Sequence, residues 1–295
     1  MLEPSVSKPQ SSTTDNYALN RNYAAASRLN YQYYLWKATL AFNLHPSIPL
    51  PSSPIRIADV ATGTAIWLQE LANVLPATAQ LDGYDISLEQ CPPRAWLPKN
   101  LTLHQWDMFT DVPDHLVGAY DVVHVRLVLL VVTAANLEVL VRNLALLLRP
   151  GGWLQWDELW PGGSYIIHGK VPTEGGVSAE ISNTAAMESM RRYLTTLPNW
   201  MVTLPDTLME NGFSKAQVHH YKDPLGLARA FFDMHLTTDE EMAKATLGRF
   251  SSEQEHQTMR RVTEMWHESR NGEGAALCTP KVVIVGQKAV QGVEM

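Results

Sequence analysis

Several features are scarce in this 295-residue chain, and each scarcity excludes something. Only two cysteines occur, Cys91 and Cys278, with no C-x-x-C pair and no Cys/His metal spacing, so neither a disulfide scaffold nor a metal site is expected. Two isolated thiols fit a reducing, cytoplasmic setting. Basic residues are outnumbered: 23 Lys and Arg against 30 Asp and Glu give a net charge of −7. Nucleic-acid binders normally need a basic surface to neutralise phosphates, so no nucleic-acid partner is expected. Long apolar runs are missing too. "LVLLVVTAA" from Leu127 is too short to cross a bilayer, and no charged-then-apolar leader opens the chain. No membrane association is expected.

Apolar residues make up 45% of the chain, enough for a substantial core. Residues 1–16 are polar with two prolines and read as a disordered tail. Residues 17–54 follow as a helical region and linker. Leu29, Tyr33, Trp36 and Leu40 recur at spacings of four, three and four, one face of a helix over 17–42. "HPSIPLPSSP" then breaks regular structure. From Ile55 strands and helices alternate. "IRIADV", "AQLDGYDIS", "LTLHQWDMF", "YDVVHVRLV" and "WLQWDEL" read as strands, with helices at "AIWLQELANVL" and "NLEVLVRNLALLL". This rhythm implies βαβ units and a doubly wound α/β sheet across residues 55–160. Residues 161–295 hold helical inserts, a strand at "AQVHHYK" and a last strand at "KVVIVGQKAV".

The first strand runs into "ATGTA". A dinucleotide loop, G-x-G-x-x-G, needs glycines so that its backbone can approach a pyrophosphate. Here only Gly63 remains, flanked by Ala61, Thr62, Thr64 and Ala65, with Trp67 close behind. From Ile57 to Pro93 there is no Lys or Arg, while Asp59, Glu70, Asp82, Asp85 and Glu89 fall in the same span. A phosphate would be repelled; a cationic nucleoside would be accepted. S-adenosylmethionine, with its sulfonium and ammonium groups, fits. Asp85 lies 22 residues after Gly63, where a carboxylate takes ribose hydroxyls. Ile86 would lie against the adenine. Asp107 and the Met108 amide would meet its edge, and Asp59 would face the methionine ammonium.

The segments "RIADVATGTAIWLQELA", "AQLDGYDIS", "PKNLTLHQWDMF", "YDVVHVRLV" and "LLLRPGGWLQWDE" resemble the class I S-adenosylmethionine-dependent methyltransferases. Within that class they are similar to the fungal secondary-metabolism, LaeA- and UMTA-like group. The resemblance covers roughly residues 17 to 290 and implies a Rossmann-like seven-stranded sheet whose last strand is antiparallel. It also implies a helical cap, built from the N-terminal helices and later inserts, over a small-molecule pocket. It puts Ala61, Thr62, Gly63, Asp85, Ile86, Asp107 and Met108 on the cofactor, with His124 to Arg126 near its sulfonium. Arg28 is a candidate clamp for the cofactor carboxylate.

Two residues are candidates for chemistry. His124, near the end of strand four, could act as a base, or be a buried strand histidine whose backbone alone meets the cofactor; Asp157, ending strand five, could orient substrate or take a proton, or be a structural partner for a nearby backbone or arginine. "HVRL" after strand four lacks the acid-or-Asn plus two prolines of adenine and amide N-methyltransferases. It also lacks the carboxylate that metal-dependent catechol enzymes need there. The expected acceptor is a hydroxyl, amine or thiol on a small natural product, with S-adenosylhomocysteine as product. Two other readings share this site. One is a pericyclase or cyclase that keeps the sulfonium as a fixed charge; the other is a LaeA-like regulator. The apolar N-terminal helix also offers a surface for a homodimer.

Overall fold

The computed structural model describes residues 19–50, 54–169, 184–197, 199–245, 252–271 and 274–290. The expected tail over 1–16 lies outside them. Helix α1 (Tyr23–Leu40) is started by Asn22, whose side chain accepts from the Ala25 amide at 3.0 Å. It begins later than the 17–42 pattern predicts because that cap sets its first turn. Alternating elements follow: β1 (Arg56–Val60), α2 (Ile66–Ala72), β2 (Gln80–Asp85), β3 (Leu101–Gln105), β4 (Tyr120–Arg126), α3 (Leu137–Leu147) and β5 (Leu148–Leu159). β5 starts before the expected Trp153, since Leu148 already pairs with Tyr120 of β4, ahead of a register irregularity where Gly151 takes φ 76°.

Beyond β5 come β6 (Tyr165–His168), α4 (Ala185–Thr196), α5 (Trp200–Glu210), β7 (Phe213–Tyr221), α6 (Ala228–Ala245), α7 (Ser252–Glu268), β8 (Ala275–Cys278) and β9 (Lys281–Lys288). Seven strands form one sheet in the order β3-β2-β1-β4-β5-β9-β7. The first five pair in parallel, and β9 is antiparallel to both its neighbours. The expected antiparallel last strand is therefore present. β6 and β8, which the sequence pattern does not mark, make a separate two-stranded antiparallel sheet.

Side chains alternate across a strand, so each face of the sheet collects its own core. Ala58, Val60, Val123, Val125, Leu154 and Trp156 pack under α3 and α5. Ile57, Leu81, Val122, Val283 and Val285 pack under α1, α2 and α6 through Trp36, Trp67 and Phe231. A third core lies off the sheet, where Met187, Phe232, Leu236 and Met265 surround β8. On the second face the strands turn polar toward their C-terminal ends: Ile57 is followed by Asp59, and Val122 by His124 and Arg126. That switch positions the site.

Gly152, at the turn into the central part of β5, is needed for close approach. A Cβ there would lie 2.9 Å from the Arg149 carbonyl and 3.1 Å from that of Asp121. Backbone cannot yield as a side chain can. Gly152→Ala should cost about 1–3 kcal/mol, read as a lower midpoint in urea unfolding with an unchanged slope.

Candidate functional site

A cleft of about 570 Å³ opens across the C-terminal ends of β1, β2, β3 and β4, under α1. Ligands of open α/β sheets bind at this place, where the chain order reverses between β1 and β4. Ala61 to Thr64, Asp85, Ile86, Asp107, Met108, His124 and Arg126 all line it, as does Asp59.

The loop after β1 is built by three left-handed residues. Ala61, Gly63 and Ala65 have φ of 58°, 59° and 57°. Two of them are alanines, which pay a steric cost that glycine would not. Cross-links hold the loop in place. The Thr62 amide donates to the Tyr84 carbonyl at 3.0 Å, and the Thr62 hydroxyl to Asp59 Oδ2 at 2.6 Å. The Gly63 amide donates to Asp85 Oδ2 at 2.9 Å. Asp85 also accepts from the Ser87 amide at 3.0 Å. Burial pushes the Asp85 pKa up, against the pull of these two amides. Asp107 accepts from the Phe109 amide at 3.0 Å, so its carboxylate is oriented from behind.

The floor of the cleft is a chain of buried charges. His124 Nδ1 lies 2.7 Å from Asp59 Oδ1, and Nε2 lies 3.2 Å from Asp157 Oδ2. Arg126 donates to the same Asp157 oxygen through Nε at 3.0 Å and Nη2 at 2.7 Å. Gln155 donates to Asp157 Oδ1 at 3.0 Å. The Trp67 ring stacks on the imidazole at 3.8 Å and 7°. Burial alone would lower the His124 pKa, but the bonds to Asp157 and Asp59 outweigh it and the net shift is upward. For Asp157, burial pushes up, while Arg126 and His124 pull harder and leave the pKa below its usual range.

This geometry bears on three of the candidate residues. His124 has both ring nitrogens within hydrogen-bond distance of buried carboxylates, which favours its protonated form and leaves neither nitrogen free for a substrate. Asp157 is fully buried and lies outside the cleft wall; it is a partner for Arg126 and His124 rather than a substrate contact. Arg28 also misses the cleft. Its Nε donates to Glu241 of α6 at 2.9 Å, because its place on α1 faces the cap. Sequence reasoning passed over Arg21, Gln32, Tyr33 and Trp36, which do line the cleft. Tyr33 and Trp36 were visible as the apolar face of α1. Arg21, just before the Asn22 cap, had no such signal.

Glu158 anchors the loop that follows β4. Its carboxyl group accepts from the Val128 amide at 2.9 Å and the Leu159 amide at 3.0 Å, and complete burial pushes its pKa up to about 8. No cluster of three or more His, Cys, Asp or Glu fit to hold a metal occurs among the described residues. Nor is any helix among them long and apolar enough to cross a membrane.

A sheet of this order, with its cleft at the β1–β4 switch, is a Rossmann-like fold. Residues 28–168 match the family described as a methyltransferase domain. The methyltransferase grgD of a Penicillium species is 38% identical over 173 residues, 56% of this chain and 58% of its own. The N-methyltransferase tcpN of Claviceps purpurea is 36% identical over 149 residues, 50% of this chain and 53% of its own. A chain from the complex of the Haloferax volcanii Trm112 methyltransferase activator with a methyltransferase superposes with a TM-score of 0.50 at 12% identity. That match covers 94% of this chain and 100% of the other. The chain spans little more than half the length of the curated relatives it matches, 58% and 53% for the two cited. Residues 28–168 thus resemble a methyltransferase domain, and both relatives named are fungal methyltransferases.

Two outcomes follow for the buried charges. His124→Leu leaves the buried Asp59 without its cation and Asp157 with Arg126 alone, and should cost about 3–5 kcal/mol in chemical denaturation. Glu158 behaves differently. Between its ordinary value of 4.5 and its folded value of about 8, the native state holds a proton that the unfolded chain has released. Its contribution to stability therefore falls as pH rises across that window. Glu158→Gln should flatten the decline, so the variant's Tm relative to the parent rises between pH 5 and pH 8 in a series of thermal melts.

Proposed function

We propose that this protein transfers a methyl group from S-adenosylmethionine to a nitrogen of a small natural product. The observation that carries the reading is the pairing of Asp85 with the Gly63 amide at the β1–β2 crevice, in a cleft that Asp59, Asp85 and Asp107 line together. The residues fit such a cofactor. A Cβ built on Gly63 would meet only Leu29, at 3.7 Å, so the loop backbone is open to a ligand. Asp85 would take the ribose hydroxyls, Ile86 one face of the adenine, and Asp107 with the Met108 amide its edge. Asp59, Ala61 and Thr62 would surround the amino-acid end.

When bound, the cofactor supplies a methyl carbon already activated by the sulfonium. The chain's part is proximity and orientation. Asp59 is fixed by Thr62 and His124, so its carboxylate meets an ammonium without moving. Val128, Leu130 and Val131 exclude water from the neighbouring half. Among the described residues of the cleft wall the one histidine is His124, whose two nitrogens both face carboxylates. A neutral amine, nucleophilic without first losing a proton, suits a wall of this kind better than a hydroxyl does. The names of the relatives tcpN, verN and sirN, all N-methyltransferases, favour the same atom. In this reading residues 55–160 form the cofactor core, while residues 17–54 and the inserts after residue 161 form the acceptor's cap.

Calorimetric titration with S-adenosylhomocysteine tests the assignment. Micromolar binding is expected, and Asp85→Ala should weaken it about 10- to 100-fold while the variant stays folded. Unchanged affinity in a folded variant would put the cofactor elsewhere.

A further inference from the structure

Arg126 ends β4 at the rim of the cleft, and its surroundings hold it unusually still. Nε and Nη2 both donate to the buried Asp157. The guanidinium carbon sits 5.3 Å from the centre of the Trp36 ring and 5.8 Å from that of Tyr33. Tyr33 is itself tied by its hydroxyl, which donates to Asn43 Oδ1 at 2.9 Å. The next residue, Leu127, has φ of 57°, a left-handed conformation that a bulky side chain rarely adopts. Its amide is locked to the Asp157 carbonyl at 3.0 Å. Backbone strain of this kind persists only where neighbours over-determine it.

The third nitrogen, Nη1, is left over. Among the described residues it has no hydrogen-bond partner, and it is not sealed from the cleft that Arg126 lines. A planar guanidinium with two N–H edges already used presents its remaining edge in a fixed direction. Its entropic cost of ordering is met before any ligand arrives. Position also matters. The acids that would hold the nucleoside, Asp85 and Asp107, lie at the ends of β2 and just past β3. Arg126 leans the other way, toward Asp157 on β5. Beside it the wall is apolar and aromatic: Tyr33, Trp36, Leu130 and Val131.

We infer that Arg126 Nη1 is the docking point for a carbonyl or carboxylate oxygen of the methyl acceptor, whose body lies along Leu130 and Val131 at the β4 end of the cleft. The inference rests on the cofactor reading above, because it needs the nucleoside over β1 to β3. A cofactor carboxylate offers the same oxygen chemistry, so the experiment separates the two sources.

Benzoate and benzamide serve as probes, titrated by calorimetry into the protein saturated with S-adenosylhomocysteine. In parallel, S-adenosylhomocysteine and its decarboxylated analogue are titrated into the free protein. Both probes should bind the parent complex, and Arg126→Gln should weaken them about 10-fold or more. The preference for S-adenosylhomocysteine over its decarboxylated analogue should be the same in parent and variant. Loss of that preference in Arg126→Gln would assign Nη1 to the cofactor and overturn the inference. Equal probe binding by parent and variant, or none by the parent, would also overturn it. Arg126→Lys keeps a cation against Asp157 but withdraws the Nη1 edge, so it decides the matter if the glutamine variant does not fold. Should the parent fail to bind S-adenosylhomocysteine, the cofactor reading fails; benzoate titrated into the ligand-free chain then decides whether Nη1 takes an oxygen.

Discussion

The row Asp59–His124–Asp157–Arg126 ties the C-terminal ends of β1, β4 and β5 together, and the cleft depends on it. Each member would be costly alone in a buried place. Alternating signs make the row neutral, and each anion faces a cation within 3.2 Å. Such a row is not a cheap source of stability, since desolvation opposes most of the attraction. What it supplies is geometry. His124 pairs across the sheet with Asp59 on one side and Gln155 on the other, and Arg126 with Asp157. A slip of one residue in either register would send these charges to the opposite face, into the Val123–Trp156 core. The row thus specifies the alignment of three strands where the ligand must be read.

Much of this architecture was legible because periodicity and turn chemistry are local. The β-α rhythm from Ile55, the loop around Gly63 and the acids at the ends of the first three strands all lie where the pattern puts them. The particular partners of His124, Asp157 and Arg28 were not legible, for a common reason. Each depends on a partner far away in the chain: Asp59 and Asp157 for His124, Arg126 for Asp157, Glu241 for Arg28. Strand ends and a helix face can be read from one sequence; the residue opposite cannot. β6 and β8 escaped for another reason. Four residues each, paired only with each other outside the main sheet, they are too short for alternation to register.

The alanines of the loop show how context overrides propensity. Left-handed backbone at Ala61 and Ala65 costs more than at glycine, by about 1 kcal/mol each. The loop tolerates this because its amides are bonded forward to β2, through Tyr84 and Asp85. A methyl at these positions narrows the crevice. That suits a ligand without a pyrophosphate, and Trp67 behind the loop is then free to stack on His124 instead of leaving room for phosphate. Loop composition and buried charge row are therefore one design: the aromatic ring that a phosphate-binding loop could not accommodate covers the imidazolium that holds Asp59 in place.

The two halves of the cleft answer to different constraints. The half over β1, β2 and β3 is set by backbone amides and carboxylates that are bonded from behind, so its shape follows from the sheet itself. The other half is walled by α1 and by the loop after β4. α1 in turn is tied to α6 by the Arg28–Glu241 pair, and Glu241 also accepts from the Asn20 amide at 2.9 Å. α6 belongs as well to the separate core around β8. A change in that cap core reaches the α1 wall of the cleft through α6 and Glu241 without crossing the strands that hold the charge row. The α1 side can therefore be reshaped while the strand-end side stays fixed.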